Sequence, residues 1–214
     1  MTQRVRVQNF TITQDGYGSG EGQSLETPFG SLDPMKLMGW AFATASFPSH
    51  PNASGSRGLD DYFMRDFDHN IGAEIMGRNK FGPQRGAWEN EEWQGWWGDN
   101  PPFHTPVFVL THHVRPSLIL SDTTFHFINA GPREALHIAK DAAGGKDVRI
   151  GGGVATVRAF LEADLIDEMH VAVAPFDAGQ GERLWESYDH LLERFHLESV
   201  SSPSGVTHLL FWRK

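Results

Sequence analysis

The 214 residues contain no cysteine. That excludes disulfides, thiolate nucleophiles and cysteine-ligated metals, and it suits a reducing compartment. No run of 18 apolar residues occurs, so no membrane-spanning helix is expected. Basic residues are scarce: 18 Lys and Arg stand against 27 Asp and Glu, for a formal net charge of −9. With no basic run of five or more residues, a nucleic-acid surface is not expected. The amino-terminal MTQRVRVQNF alternates like a strand and lacks the apolar stretch of a signal peptide, which predicts a cytoplasmic protein. No repeat or low-complexity segment stands out. Hydrophobic residues make up 39% of the chain, enough for one domain over 1–214 with its own core.

What is present centres on residues 147–175, DVRIGGGVATVRAFLEADLIDEMHVAVAP. Val148 and Ile150 are β-branched and end at Gly151, Gly152 and Gly153. Val154, Val157, Phe160 and Leu161 then recur at helical spacing, and 165–173 returns to extended apolar chain. Such a β-α-β unit crosses over right-handed and puts its first turn at the carboxyl end of a parallel sheet. Three glycines let backbone approach a ligand, and the following helix offers free N–H groups to a phosphate. A tight turn without a ligand explains them equally well. The G-x-G-x-x-G spacing of dinucleotide-binding Rossmann folds is missing, and so is its acidic residue.

Strands are expected at 4–13 (central in the sheet), 71–76, 106–111 and 123–129, with a glycine-rich flexible loop at 14–22. Helices are expected at 35–45, 59–69 and 132–143, the last framed by Pro132 and Gly144. A Pro/Gly/Ser loop fills 47–57. Residues 192–200 and 206–212 read as a closing antiparallel hairpin. Alternating strands and helices give an α/β fold with a mostly parallel central sheet flanked by helices. Residues 81–105 are unusual, holding Trp88, Trp93, Trp96 and Trp97 among glycines, prolines and acids.

Five short motifs, in order, resemble the dihydrofolate reductase-like superfamily. They are most similar to the reductase domain of the bacterial riboflavin-biosynthesis deaminase-reductase and its stand-alone relatives. The motifs are Thr13-Gln14-Asp15-Gly16-Tyr17, Met76-Gly77-Arg78-Asn79-Lys80-Phe81, the 106–111 strand PVFVLT, Ile150-Gly151-Gly152-Gly153 and Leu165-Ile166-Asp167-Glu168. The deaminase half is not expected, because its zinc signature needs cysteines.

The resemblance implies a homodimeric NADPH-dependent reductase acting on a small planar C=N or C=O substrate, pteridine- or pyrimidine-like. It implies that Ile150, Gly151 to Gly153, Val154, Ala155 and Thr156 hold the pyrophosphate. It places Gly77, Arg78 and Lys80 in a second phosphate-binding turn. Leu110, Thr111, His112 and His113 fall where the family contacts the adenosine 2′-phosphate, and Thr11 to Gly18 lie against the nicotinamide. Arg78 would favour NADPH, since a guanidinium fork matches a phosphate. Lys80 stands where the family carries threonine. Asp61, seventeen residues before Arg78, matches the spacing of the substrate-binding acid of dihydrofolate reductases, and it is a candidate catalytic group together with Asp15. For each the alternative is local: a helix-start carboxylate for Asp61 and a turn-stabilising one for Asp15. Trp96 and Trp97, beside Gly95 and Gly98, are candidates to stack on the substrate; the alternative is that the tryptophan segment packs on the fold or on a second subunit. His104, His112, His113 and His126 lack a well-spaced carboxylate, so no metal is expected. A nucleotide-binding module without turnover, or a flavin or pterin carrier, would share these features.

Overall fold

A computed structural model describes residues 2–48, 52–89 and 92–214. Eleven strands are present: β1 (Val5–Thr13), β2 (Tyr17–Ser19), β3 (Ile71–Gly77), β4 (Pro106–Leu110), β5 (Leu118–Leu120), β6 (Thr123–Ile128), β7 (Asp147–Gly152), β8 (Glu168–Ala174), β9 (Glu182–Arg183), β10 (Phe195–Ser201) and β11 (Thr207–Arg213). Five helices accompany them: α1 (Pro34–Phe42), α2 (Leu59–Met64), α3 (Arg78–Phe81), α4 (Pro132–Ala142) and α5 (Val154–Glu162). Nine strands form one sheet in the order β10-β11-β8-β1-β7-β3-β4-β6-β5. The pairs from β8 across to β6 are parallel, while β11 against β8, the β10–β11 hairpin and β5 are antiparallel. The α/β sheet, its central first strand and its carboxyl-terminal hairpin are as the sequence predicts.

The strands alternate faces, and each face buries its own apolar set. On one side Val5, Val7, Ile75, Val148 and Ile150 pack beneath α4 and α5, which contribute Leu136, Ala139, Val157 and Phe160. At the β4–β6 end the opposite face is covered by the tryptophan segment. Phe81, Val107, Val109, Phe125 and Phe127 meet Trp88, Trp93 and Trp97 there. Further along that face, α1 and α2 supply Trp40 and Met64 against Ala172 of β8.

Local chemistry sets the helix starts. Asp33 caps α1 by accepting the Met35 amide at 2.8 Å, and Pro34 occupies the first turn, where its missing N–H costs nothing. Pro132 does the same for α4.

Three expectations are corrected. The second helix ends at Met64 instead of 69, because the following turn is tied to β1: Asp66 accepts from Arg6 at 2.5 Å and from Gln8 at 2.7 Å. The 14–22 loop contains β2, which pairs with β9. The last hairpin begins at Phe195, after a 3-10 turn over Asp189–Glu193. Part of the 47–57 loop lies outside the described residues, as do two residues of the tryptophan segment. Among the described residues no helix is long and apolar enough to cross a membrane, and no group of three or more metal-ligating side chains is present.

Candidate active site

Strand register brings four of the five predicted motifs to one edge, while Leu165–Glu168 lies at the opposite one, where Glu168 is level with Arg6. Gly77 of β3 is level with Leu110 of β4, Leu110 with Ile128 of β6, and Met76 with Gly152 of β7. β1 ends at Thr13, level with Ala174 of β8. The edge is therefore the carboxyl end of the parallel strands.

The glycine turn leads directly into α5. Gly152 has φ +110°, open to glycine but strained for other residues, and the Gly152–Gly153 peptide is cis. No side chain caps the helix, so its amino end offers backbone N–H groups beside an exposed Ala155 and a half-buried Thr156. The second turn touches the first: a methyl on Gly77 would collide with Thr156 Oγ1. Gly18 packs on Val154, where an added Cβ would stand 2.6 Å from Cγ2. Gly18, Gly77, Ile150, the three glycines and residues 154–156 are thus brought into one cluster. Thr11 is buried and accepts the Trp40 indole N–H at 3.1 Å.

Arg78 and the loop after β4 are joined by Trp88. The Arg78 guanidinium lies 3.9 Å from the Trp88 ring centroid, and Arg115 lies 4.7 Å from it. The Trp88 indole donates to the His113 carbonyl at 2.5 Å. Thr111 Oγ1 accepts the His113 amide at 3.1 Å, and His112 Nδ1 meets Asn129 Oδ1 at 3.2 Å. Arg78 Nη1 donates to Gly86 O at 2.5 Å, while its Nε and Nη2 are buried without a partner among the described residues. Burial, then the nearby Arg85, presses its pKa downward. An anion would relieve both, so the residues fit a phosphorylated cofactor: a guanidinium with two unpartnered nitrogens, joined through Trp88 to the loop that carries Thr111 and His112.

The candidate acids are otherwise engaged. Asp15 accepts from Thr13 Oγ1 at 2.5 Å, Ala178 N at 2.9 Å and Gly179 N at 2.8 Å. Burial opposes its ionisation, but these donors together outweigh it and hold the carboxyl below its usual range. The ionised group anchors the 176–179 loop and is a poor proton donor at neutral pH. Replacing Asp15 by Ala frees two loop N–H groups, with an expected loss of about 1–3 kcal/mol in urea denaturation. Asp61 is 1% exposed; it accepts the Ser46 amide at 2.9 Å and pairs with Arg65 at 3.5 Å. Trp97 stacks on Phe125 at 5.8 Å, and Trp96 donates to Lys80 O at 2.9 Å while meeting Trp93 edge-on. The tryptophans therefore pack the segment onto the fold.

Asp60, next to Asp61, heads a buried chain. Its Oδ1 meets His208 Nε2 at 2.9 Å, His208 Nδ1 meets His170 Nε2 at 2.9 Å, and the Asn9 amide reaches His170 Nδ1 at 3.3 Å. Phe63 stacks on both imidazoles. Clefts of about 600 Å³, bordered by Asn9 and His170, and about 800 Å³, bordered by Trp40 and Asp60, flank the chain away from the glycine turn. Burial, then His208, pulls the His170 pKa from 6.5 to about 3. The unfolded chain thus binds the proton that the folded chain refuses. Stability from this group is complete above pH 6.5 and falls with acidification toward 3, by up to about 1.4 kcal/mol per unit. Urea denaturation between pH 7 and 5 measures that slope, and a flat profile would count against a neutral buried His170.

Two charged residues at this edge escaped the sequence reading. Glu74 of β3 and Arg149 of β7 are register partners and form an ion pair at 2.8 Å, 2% and 4% exposed. Arg149 also lies 3.9 Å from the Phe67 ring centroid. A methyl on Gly151 would collide with Glu74 Oε1, which has no partner among the described residues. Burial raises the Glu74 pKa against the opposing pull of Arg149 and Lys80. The available signal was a charge flanked by apolar residues inside each of two strands, Glu74 in IGAEIM and Arg149 in VRIGG.

Residues 7–208 match the RibD C-terminal domain. The chain belongs to that family. This is a family of reductase domains, which makes the protein an oxidoreductase by family. No curated protein matches the chain. Among solved structures, a protein provisionally named for riboflavin biosynthesis from Shewanella sp. PV-4 shares 21% identity at a TM-score of 0.57, covering 100% of this chain and 99% of that one. A pyrimidine reductase-like protein from Corynebacterium diphtheriae shares 14% at 0.50, with 100% and 92% coverage. Acinetobacter baumannii RibD shares 14% at 0.53; all of this chain aligns, but with 58% of RibD. At these identities the likeness concerns the fold.

Proposed function

We propose that this RibD C-terminal domain protein uses NADPH to reduce a small planar heterocycle of the pyrimidine or pteridine type. The observation that carries the reading is Arg78, stacked on Trp88 with two buried nitrogens unpartnered among the described residues, where Trp88 also donates to the His113 carbonyl of the loop after β4. A 2′-phosphate supplies the dianion such a fork suits, and NADH lacks it. The α5 amino end and the Gly77 turn would take the pyrophosphate. Reduced nicotinamide, when bound, supplies the hydride. The chain's own share is to hold the rings in line and keep water out, with Thr11 to Gly18 closing one side. Titration with NADPH and with NADH, followed by tryptophan quenching, tests the reading: NADPH is expected to bind at least tenfold more tightly. Equal affinities would overturn the cofactor choice, and no binding of either would overturn the reductase reading.

One observation favours a nucleotide-binding module without turnover: Asp15 and Asp61 are both committed to structural contacts. A protein of that kind would bind NADPH and never oxidise it.

A further inference from the structure

A reduction needs a proton as well as a hydride, and neither sequence-predicted acid can readily supply it. The remaining protonatable groups at the glycine turn are Lys80 and Glu74. Lys80 sits on α3, two residues beyond Arg78, and is half-buried. Its Cδ lies 3.7 Å from where a Cβ would stand on Gly152, and its carbonyl is fixed by the Trp96 indole at 2.9 Å. The charged groups facing it are Glu74 from β3 and Arg149 from β7. Phe10 closes the same turn, 3.1 Å from the Gly152 Cβ position. An ammonium on a flexible stem is thus held against the backbone that leads to the cofactor helix, with a buried carboxylate behind it.

Resting on the reductase reading, we propose that Lys80 is the general acid of the reaction. The hydride, with both electrons, adds to the carbon of the substrate's C=N or C=O bond, and the reduced nicotinamide is oxidised. The nitrogen or oxygen of that bond takes a proton from the Lys80 ammonium. Neutral Lys80 then recovers a proton from water. Burial, then Arg149, lowers the Lys80 pKa to about 8, with Glu74 opposing them. A general acid is most effective when its pKa lies near the pH at which it works.

The test begins with nucleotide binding and needs no substrate. Oxidised nicotinamide carries a positive charge that the reduced ring lacks, so NADP⁺ next to Lys80 should expel its proton and NADPH should not. Calorimetry at pH 8, in two buffers of different ionisation enthalpy, counts the protons released. Wild type is expected to release more protons with NADP⁺ than with NADPH. Lys80→Met and Lys80→Arg should lose that difference at saturating nucleotide, whatever their affinity; the arginine variant keeps the charge at the phosphate-binding turn and covers the case in which methionine fails to fold. Glu74→Gln should move the pH of maximal release downward, because Glu74 raises the Lys80 pKa. With 7,8-dihydrobiopterin as acceptor, turnover at the wild-type rate in Lys80→Met overturns the proposal; without turnover the proton count decides. Equal proton counts for the two nucleotides, or a difference that survives in both Lys80 variants, also overturn it. Failure of wild type to bind either nucleotide defeats the reductase reading itself, and fluorescence shows this before any proton is counted.

Discussion

Arg78→Ala is expected to weaken NADPH binding by about 10- to 100-fold while changing NADH affinity by less than about threefold. The size follows from one charge-assisted fork, about 1.5–3 kcal/mol when its partner is a phosphate. Selectivity follows from the geometry. Arg78 follows Gly77, which is level with Leu110 and so beside the loop that carries Thr111 and His112, whereas the proposed pyrophosphate donors are backbone N–H groups of α5 and of the Gly77 turn, which the substitution does not remove. Trp88 loses its guanidinium partner on one side only, since Arg115 remains 4.7 Å from its ring. The segment should therefore stay folded, and an unchanged thermal midpoint would confirm that the loss is one of binding. Parallel losses for NADPH and NADH would assign Arg78 to the pyrophosphate instead.

Arg149→Met is expected to be among the most destabilising single changes in the chain, at about 3–5 kcal/mol by urea denaturation at pH 7. It removes the partner at 2.8 Å and leaves the Glu74 carboxylate buried without compensation. Adding Glu74→Met should recover much of the loss, because the desolvation cost disappears with the second charge. The pH dependence has a definite sign. Burial already raises the folded-state pKa of Glu74, and loss of Arg149 raises it further. A carboxyl with a raised folded pKa binds more protons folded than unfolded, so stability is retained at low pH and lost as pH climbs through that value. The single variant should thus be closest to wild type in acid and weakest at neutral pH. A constant deficit across pH would show that Glu74 is not the source.

The strands along the chain and the glycine turn were legible because they depend on local signals: β-branched runs ending in glycines, a proline at a helix start, and apolar spacing. Gly77 and Thr156 meet because two β-α units share one edge, a contact that sheet register sets. The rest depends on pairing between distant segments, which local signals do not carry. Asp61 has the spacing of a substrate-binding acid, but its use is set by the Ser46 amide fifteen residues earlier. Trp97 reads as an open ring between glycines, and its place is decided by Phe125 on a strand 28 positions on. Glu74 and Arg149 lie 75 positions apart and become neighbours only through β3–β7 register. His170 and His208 come together through the pairing of β8 with β11.

The clamp on Trp88 bears on how quickly and how economically a nucleotide could be seized. A free arginine samples many rotamers, and freezing one on binding costs about 0.5–1.5 kcal/mol. Here the guanidinium is immobilised in advance, lying on a ring that is itself fastened to the His113 carbonyl. The entropic cost has been moved from the moment of capture to the moment of folding. An encounter that reaches the fork can then lock without a search, so preorganisation by this aromatic insertion should appear as faster and tighter capture.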